Sequence, residues 1–440
     1  MSAKKLTTDL KQKLIQQSLR RKYEKVDREA DEPLKPLRQS NIPKKFYRFD
    51  QHPGYRQMQI IDQGASMLDL ESPFFRVHDD IAGATTNIDG REMINFASYN
   101  YLGLSGHEKV NQAAIEAIQR YGTSVSASRI MAGERPIHAQ LESAIATSYG
   151  VDDAVVYVSG HATNVSTIGY LFSDKDLIIH DEYAHNSTIV GAQLSGAKRL
   201  SFSHNDMPAL EQLLEQHRHL FERVVIIVEG LYGMDGDYPD LPRLIELKKQ
   251  FHCFLMVDEA HSFGVLGKTG KGLKEIYGIP GPEVDIWMGT LSKSLSGCGG
   301  FIAGESALID NLRYLSPGFL YSAGLPAPTA AAAIASLEIM ATEPERITQL
   351  HNISTYFLAQ AQLAGLNTGV SKGIAIIPVI IGSSVKTTRI AAKLFREGIN
   401  VQSIVYPGVP ENSARLRFFI SCDHTKKQVD TTIDILKQLL

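Results

Sequence analysis

Cysteine is scarce in this sequence. Its three cysteines, Cys253, Cys298 and Cys422, lie far apart, and none belongs to a CxxC pair. A disulfide framework or a zinc site requires cysteines at short, regular spacing. We therefore interpret all three as ordinary packing residues and expect no metal site.

Long hydrophobic runs are also missing. The longest alanine-rich stretch, residues 327–341, is interrupted by Glu338 and is too short to cross a bilayer, so it predicts a packed helix. The first residues, MSAKKLTTDLKQKL, contain lysines but no continuous apolar segment of the kind found in secretory signals. These features favour a cytoplasmic protein and leave peripheral contact with a membrane open.

Positive charge is concentrated at the start of the chain. Residues 1–48 contain 14 Lys and Arg against 6 Asp and Glu, whereas the whole chain carries a net charge of -3. Leu6, Leu10 and Leu14 would share one helical face. The segment is either a solvated arm lying on a subunit or a docking element for an acidic partner or an anionic membrane. The remainder has no interleaved basic and aromatic motif, which argues against nucleic acid binding.

Short apolar runs alternate with amphipathic stretches through the middle of the chain. This alternation predicts a mostly parallel sheet covered by helices on both faces. Beyond residue 340 the pattern changes to a smaller α+β region. We predict a basic extension over residues 1–75, a large domain over 76–340 and a small C-terminal domain over 341–440. The predicted strands are residues 153–160, 176–181, 223–230, 253–261, 284–290 and 299–304.

Polar residues follow the predicted strands, at the edge where open α/β sheets bind ligands. Ser159, Gly160 and His161 open a helix, and such a turn suits a phosphate. Asp258 ends a strongly apolar run, where a carboxylate needs a cationic or hydrogen-bonding partner. Lys293 follows another strand. A phosphate cradle, a carboxylate and an amine are together what pyridoxal 5'-phosphate (PLP) requires.

Eight ordered motifs then carry a family resemblance over roughly residues 70–440. They are SYNYLGL, DEYAHNSTIVGA, SHND, EGLYGMDGD, VDEAHSFGVLGKTGKG, TLSKSLSG, FLYSAGLPAP and ARLRFFISCDHT. The chain resembles the α-oxoamine synthase family of PLP-dependent enzymes. The resemblance implies PLP-dependent transferase fold type I, with a large seven-stranded, mostly parallel sheet domain and a smaller α+β domain.

The resemblance also implies the roles of individual residues. Lys293 matches the lysine that binds the PLP aldehyde, Asp258 the partner of the pyridine nitrogen, His261 the donor to the ring oxygen and His185 the imidazole stacked on the ring. These four are the expected catalytic residues. Further expected cofactor contacts are Ser159, Gly160, His161, Thr290 and Ser292.

Three further matches concern the substrate and the assembly. Asn100 and Arg417 resemble the pair that holds the amino-acid carboxylate. Ser322 resembles the residue that reaches the phosphate of a neighbouring subunit, which implies a homodimer with a shared active site. One position departs from the family: Gly233 stands where many relatives have serine. We therefore expect an altered rate or substrate.

The implied reaction is a decarboxylative Claisen condensation of a small amino acid with an acyl thioester, giving an α-aminoketone, CO2 and a thiol. The forms DEAHS and TLSKS are similar to those of serine palmitoyltransferases, which favours serine, then alanine or glycine, and a role in lipid or sphingolipid biosynthesis. The acyl donor is acyl-CoA or an acyl carrier protein. The alternatives are an 8-amino-7-oxononanoate synthase-like enzyme using alanine, or a fold type I aminotransferase.

Overall fold

A computed structural model describes residues 42–67 and 73–440 of the chain. One compact unit ends at Phe75, and a second spans Arg76–Leu440. The basic segment with Leu6, Leu10 and Leu14 falls almost entirely outside the described residues. The division into three parts at residues 75 and 340 stays a prediction.

The described part of the first unit has little internal core. Two short 3-10 turns, Lys44–Phe46 and Phe49–Gln51, precede a helix, α1, at Pro53–Met67. Neither turn contains a buried residue. Tyr55, Met58 and Ile61 of α1 are exposed.

The second unit contains thirteen strands and thirteen helices among its described residues. The strands are β1 Thr85–Ile88, β2 Arg91–Asn95, β3 Asp153–Tyr157, β4 Leu177–Asp181, β5 Lys198–Phe202, β6 Val224–Glu229, β7 Phe254–Asp258, β8 Ile286–Thr290, β9 Gly300–Gly304, β10 Ile376–Ile380, β11 Ile399–Asn400, β12 Gln402–Ile404 and β13 Arg415–Phe419. The helices are α2 Glu108–Tyr121, α3 Pro136–Tyr149, α4 Gly160–Leu171, α5 Asn186–Ser195, α6 Met207–His217, α7 Leu241–Phe251, α8 Leu273–Tyr277, α9 Ser306–Leu315, α10 Pro317–Leu320, α11 Ala327–Thr342, α12 Glu345–Leu363, α13 Ser384–Arg396 and α14 Lys426–Leu439.

A seven-stranded sheet forms the centre of this unit, in the order β3-β9-β8-β7-β6-β4-β5. Neighbours from β8 to β5 pair in parallel, and β9 runs antiparallel to both β3 and β8. The predicted fold class, a large mostly parallel sheet of fold type I, is therefore confirmed. Strand β5 was not predicted from the sequence.

Both faces of the sheet are packed, because alternate side chains of each strand point to opposite sides. On β6 and β7, Val228 and Val257 join one apolar cluster, whereas Ile227 and Met256 join the other. The last residues of these strands, Glu229 and Asp258, fall on the same face as Ile227 and Met256. Helices α4 and α5 pack on this face through Ile168 and Ala192.

Two small sheets complete the unit. Strands β10, β13 and β12 form an antiparallel sheet, and β11 pairs in parallel with β2 of the β1-β2 hairpin. Strands from both ends of the unit thus share one sheet. Helix α11 is the alanine-rich packed helix that the sequence predicts, with Ala330 and Ala333 fully buried. Among the described helices, none has the length and apolar character needed to cross a bilayer.

Candidate active site

The candidate site lies where the parallel strands of the central sheet end. Strand β6 ends at Glu229, β7 at Asp258 and β8 at Thr290. Register pairs Glu229 with Asp258, and all three residues are at most 8% exposed. The fold therefore brings polar side chains from different parts of the sequence to one sheet edge, as predicted.

Lys293 lies three residues beyond β8, and the pKa of its side-chain ammonium group is lowered. Burial lowers the pKa of the Lys293 ammonium to about 8, although the negative charges of Asp258 and Glu229 oppose this effect. Its Nζ atom is 5.3 Å from the centre of the Tyr99 ring. A lysine with this pKa supplies neutral amine near physiological pH, which a nucleophile or general base requires.

Asp258 is fixed by two hydrogen bonds. Asn164 Nδ2, from α4, donates to its Oδ2 atom at 2.8 Å, and the Ala260 amide donates to Oδ1 at 3.0 Å. The other Asn164 amide hydrogen reaches Ser187 Oγ at 2.9 Å, and Ser187 Oγ lies 2.7 Å from His185 Nδ1. A continuous chain of contacts thus links the carboxylate to the imidazole.

His185 caps the N-terminus of α5 and leaves part of its ring accessible. The Ser187 amide donates to its Nδ1 atom at 3.3 Å. Partial burial lowers the pKa of the imidazole, with the Lys293 charge contributing in the same direction and the Asp258 charge opposing it. A neutral ring with an open face fits the stacking role implied by the sequence.

His261 is held between the Tyr101 side chain and the loop that follows β6. The Tyr101 hydroxyl lies 2.8 Å from His261 Nδ1. A Cβ atom at Gly233 would lie 2.6 Å from His261 Nε2, so the imidazole occupies the space that a side chain at position 233 would need. Burial lowers the pKa of His261 well below its usual value, and the charges of Lys293 and Arg417 add to the effect.

The residues predicted to hold a phosphate lie at the N-terminus of α4, where Ser159 is the N-cap. Ser159 Oγ accepts from the Ala162 amide at 3.4 Å, and a Cβ atom at Gly160 would lie 2.9 Å from Thr290 Oγ1. Close approach to Thr290 therefore requires glycine at position 160. His161, next in the chain, lies edge-to-face with His185 at 6.3 Å between ring centres. Ser292, whose amide donates to Thr290 Oγ1 at 3.2 Å, is exposed beside this cradle.

Arg417 is a buried arginine with one unused donor. Its Nη1 donates to the Gly233 carbonyl at 3.2 Å and its Nη2 to Gln402 Oε1 at 2.7 Å, whereas Nε has no partner among the residues that the structure describes. The guanidinium carbon lies 4.5 Å from the centre of the Phe419 ring. An unpaired, buried cationic donor suits a carboxylate ligand.

Two predicted residues, Asn100 and Ser322, make no hydrogen bond to the other candidate site residues that the structure describes. The Asn100 side chain bonds within its own loop: its Oδ1 atom accepts from the Ser105 amide at 3.0 Å, and its Nδ2 atom donates to the Ser105 carbonyl at 3.4 Å. Ser322 lies in the turn after α10 and is partly exposed. Within the described residues it has no hydrogen bond to the other candidate site residues.

A separate cavity lies away from this site. Its volume is about 350 Å³, and its lining includes Phe254 and Ile286, the first residues of β7 and β8. These strands end at Asp258 and Thr290, so the cavity opens at the opposite edge of the sheet. It has no part in the site around Lys293.

The comparisons with known proteins agree with this geometry. A family model for aminotransferase class I and II matches residues 91–436. The chain belongs to that family. It is 40% identical over 346 residues to the 8-amino-7-oxononanoate synthase of Symbiobacterium thermophilum, covering 79% of this chain and 88% of the relative. It is 39% identical over 368 residues to the synthase of that name from Fervidobacterium nodosum, covering 83% and 91%.

Solved structures show the same relationship. A serine palmitoyltransferase variant from S. paucimobilis, solved with bound PLP, superposes with a TM-score of 0.83 at 25% identity, over 88% of this chain and 97% of that one. The protein is accordingly an α-oxoamine synthase, a PLP-dependent acyltransferase, as the sequence predicts.

The residues of the site fit PLP. The desolvated amine of Lys293, the anchored Asp258 carboxylate, the Gly160–Thr290 cradle and the unpaired Nε of Arg417 are the groups that the cofactor and an amino acid need.

Sequence reasoning missed several supporting residues. It assigned no role to Glu229, Asn164 or Ser187. Asn164 follows the predicted cradle by four positions, one helical turn, and that spacing was the available signal.

Proposed function

We propose that this protein condenses a small α-amino acid with an acyl thioester, releasing CO2 and a thiol. The observation that carries the proposal is the juxtaposition of a low-pKa lysine, Lys293, with a fixed carboxylate, Asp258, in a site that also contains the cationic group of Arg417. An aminotransferase could use the same three residues. The relatives named above favour the synthase.

PLP, when bound, supplies an aldehyde for the amine and a protonated ring that withdraws electrons from the substrate Cα. Lys293 would bind the aldehyde, and Asp258 would keep the ring nitrogen protonated. The remaining contacts would come from His185, His261, Ser159, Gly160, His161, Thr290 and Ser292.

The protein's own groups account for substrate orientation and proton transfer. The free Nε of Arg417 would bind the amino-acid carboxylate and so fix the orientation of the bonds at Cα. The neutral amine of Lys293 would remove the Cα proton as general base. His185, with its lowered pKa, would stay uncharged beside the ring and polarise the thioester carbonyl.

Serine remains our first amino acid, with alanine and glycine next. A second candidate, condensation of alanine as in 8-amino-7-oxononanoate synthesis, is favoured by relatives at 39–40% identity that bear that name. Absorbance titration of the PLP-loaded protein with serine, alanine and glycine, followed by an acyl thioester and a thiol assay, separates the two. Formation of a 2-oxo acid without thiol release would move the protein to the aminotransferases.

The acyl donor is proposed to be acyl-CoA or an acyl carrier protein, the latter recruited by the basic segment before residue 48. Deletion of residues 1–45 should then raise KM for carrier-bound thioester and leave KM for acyl-CoA unchanged. Unchanged kinetics with both donors would refute the recruitment. We propose a cytoplasmic location, in a lipid pathway such as sphingolipid synthesis, with any membrane contact peripheral.

The proposed assembly is a homodimer in which Ser322 reaches the partner's phosphate site. Tyr321, which precedes this serine in the chain, is 86% exposed, and Met131 in the segment before α3 is 81% exposed. Exposed apolar groups of this size favour a covering surface. Mixing Lys293→Ala with Ser322→Tyr protomers should restore partial activity if the sites are shared, and no activity if each subunit works alone.

A further inference from the structure

Two carboxyl groups stand side by side at the centre of the site. Glu229 and Asp258 are register partners on the parallel strands β6 and β7, so their side chains emerge on the same face at a strand spacing of about 4.8 Å. They are 7% and 5% exposed. Two buried carboxyl groups this close do not both ionise readily, which favours a proton on one of them.

The hydrogen bonds distinguish the two carboxyl groups. Asp258 accepts from Asn164 at 2.8 Å and from the Ala260 amide at 3.0 Å. Within the described part of the chain, Glu229 accepts one longer bond, of 3.3 Å, from the Gly233 amide. Donors stabilise the ionised form, so Asp258 is the better stabilised carboxylate.

We propose that Glu229 carries a proton at neutral pH and delivers it to Lys293, connecting that amine to solvent during turnover. This inference rests on the proposed function, because it concerns the proton that Lys293 exchanges with the substrate Cα. Glu229 acts through Lys293 and is not placed against the substrate itself.

The proton balance of the reaction shows where a proton from the Glu229 carboxyl group would be used. Removal of the Cα proton converts Lys293 from amine to ammonium. If that proton passes to the expelled thiolate, giving the thiol, the carbon left by CO2 still needs one proton. Glu229 supplies it: its O–H bond breaks, the Lys293 amine gains the proton and hands it to carbon, and the Glu229 carboxylate recovers a proton from water. One proton is taken up from solvent per thiol released.

The electrostatic surroundings support this assignment. Burial, with Asp258 next, raises the pKa of Glu229 to about 8, and the Asp181 charge at the end of β4 adds to it. The Gly233 amide and the positive charge of Lys293 oppose the rise. The Lys293 ammonium has its own pKa lowered to about 8 by burial. The raised pKa of the carboxyl group and the lowered pKa of the ammonium group bring the two closer together, which reduces the free-energy cost of proton exchange between them.

The test compares the wild-type holoenzyme with Glu229→Gln. Bound serine or alanine is incubated in D2O without thioester, and deuterium incorporation at Cα is followed by NMR. Without Glu229, Lys293 returns the proton it took, so we expect incorporation to slow by about 100-fold. The dissociation constant of the amino acid, from absorbance titration, should stay unchanged. Equal incorporation in the two proteins would overturn the inference.

Glu259→Gln is the matched control. Glu259 is also buried and its pKa is raised to about 7 by burial, but it accepts from the Leu273 amide and the Tyr149 hydroxyl. This variant should incorporate deuterium at the wild-type rate. If it slows to the same extent as Glu229→Gln, the effect is general to buried carboxyl groups and the inference fails.

A second measurement does not depend on turnover. The infrared difference spectrum between cofactor-free wild type and Glu229→Gln at pH 7 should contain a protonated carboxyl band, since the contribution of Glu259 is common to both proteins and cancels. The difference between Glu229→Asp and Glu229→Gln should retain this band. Its absence from the first difference spectrum would overturn the inference. If the wild type exchanges no Cα proton and releases no thiol, the proposed function fails instead, so the two failures are distinguishable.

Discussion

The His204 side chain joins two loops beside the site by bonding a carboxylate from each. Its replacement by glutamine should lower the free energy of unfolding by an amount that depends on pH. Its Nδ1 atom lies 3.0 Å from Asp181 Oδ1 and its Nε2 atom 2.9 Å from Asp237 Oδ2. Asp181 precedes the loop to His185, and Asp237 ends the loop that contains Gly233. A ring that bonds carboxylates at both nitrogens is an imidazolium.

The magnitude follows from the pKa. Burial lowers the pKa of His204, but the hydrogen bonds to Asp181 and Asp237 outweigh burial and raise it to about 10. Because the pKa is higher in the folded than in the unfolded chain, the stabilisation is fully present below pH 6.5 and is lost as the pH rises to about 10. At pH 7 the shift corresponds to at most about 4 kcal/mol. The side chain is 13% exposed, so solvent screening reduces this figure little.

Urea unfolding of wild type and His204→Gln at pH 7 and pH 10 measures the effect. We expect the variant to be less stable by about 3–4 kcal/mol at pH 7 and by only about 1 kcal/mol at pH 10. His351→Gln is the control, since His351 contacts one carbonyl, that of Val265 at 2.6 Å, and should cost about 1 kcal/mol. A His204→Gln deficit that is equal at the two pH values would refute the imidazolium clamp.

Three further predictions follow from the site. Arg417→Lys removes the planar fork, so the dissociation constant of the amino acid should rise roughly 10- to 100-fold in absorbance titrations, with PLP affinity unchanged. Gly233→Ala places a Cβ atom 2.6 Å from His261 Nε2. The affinity for PLP, measured by equilibrium dialysis, should fall by about tenfold. An unchanged affinity would show that the loop around position 233 can shift to accommodate the methyl group. Burial lowers the pKa of His424 to about 4, below its value in the unfolded chain. The free energy of unfolding should therefore fall by about 3 kcal/mol as the pH drops from 6.5 to 4. Unfolding measured over this pH range should show a weaker pH dependence for His424→Asn.

Strand ends were predictable because apolar runs bounded by polar residues mark buried parallel strands. The runs that end at Asp258 and Thr290 gave both the sheet and the location of Lys293. Strand β5, with the sequence KRLSF, lies at the sheet edge and has only one buried residue, so its composition did not distinguish it from a loop. The fold class could therefore be predicted from the sequence, whereas the edge strand β5 could not.

The hydrogen-bond partners of side chains were harder to predict from the sequence, because they depend on tertiary packing. Asn164 and Asp258 are 94 residues apart and meet only when α4 packs against the end of β7. His204 likewise joins Asp237 across 33 residues. The consequence of glycine at position 233 emerges only from the position of the His261 ring. Sequence patterns predict which residue types stand at the strand ends. The orientation, burial and pKa of their side chains can be described only from the folded structure.

Simultaneous assay of CO2 and free thiol from the PLP-loaded protein, given one amino acid and one acyl thioester, tests the central claim most directly. We expect equal amounts of the two products, dependence on both substrates and loss of both in Lys293→Ala. Conversion of the amino acid to a 2-oxo acid with the thioester intact, or a wild-type protein that binds no PLP, would contradict the account.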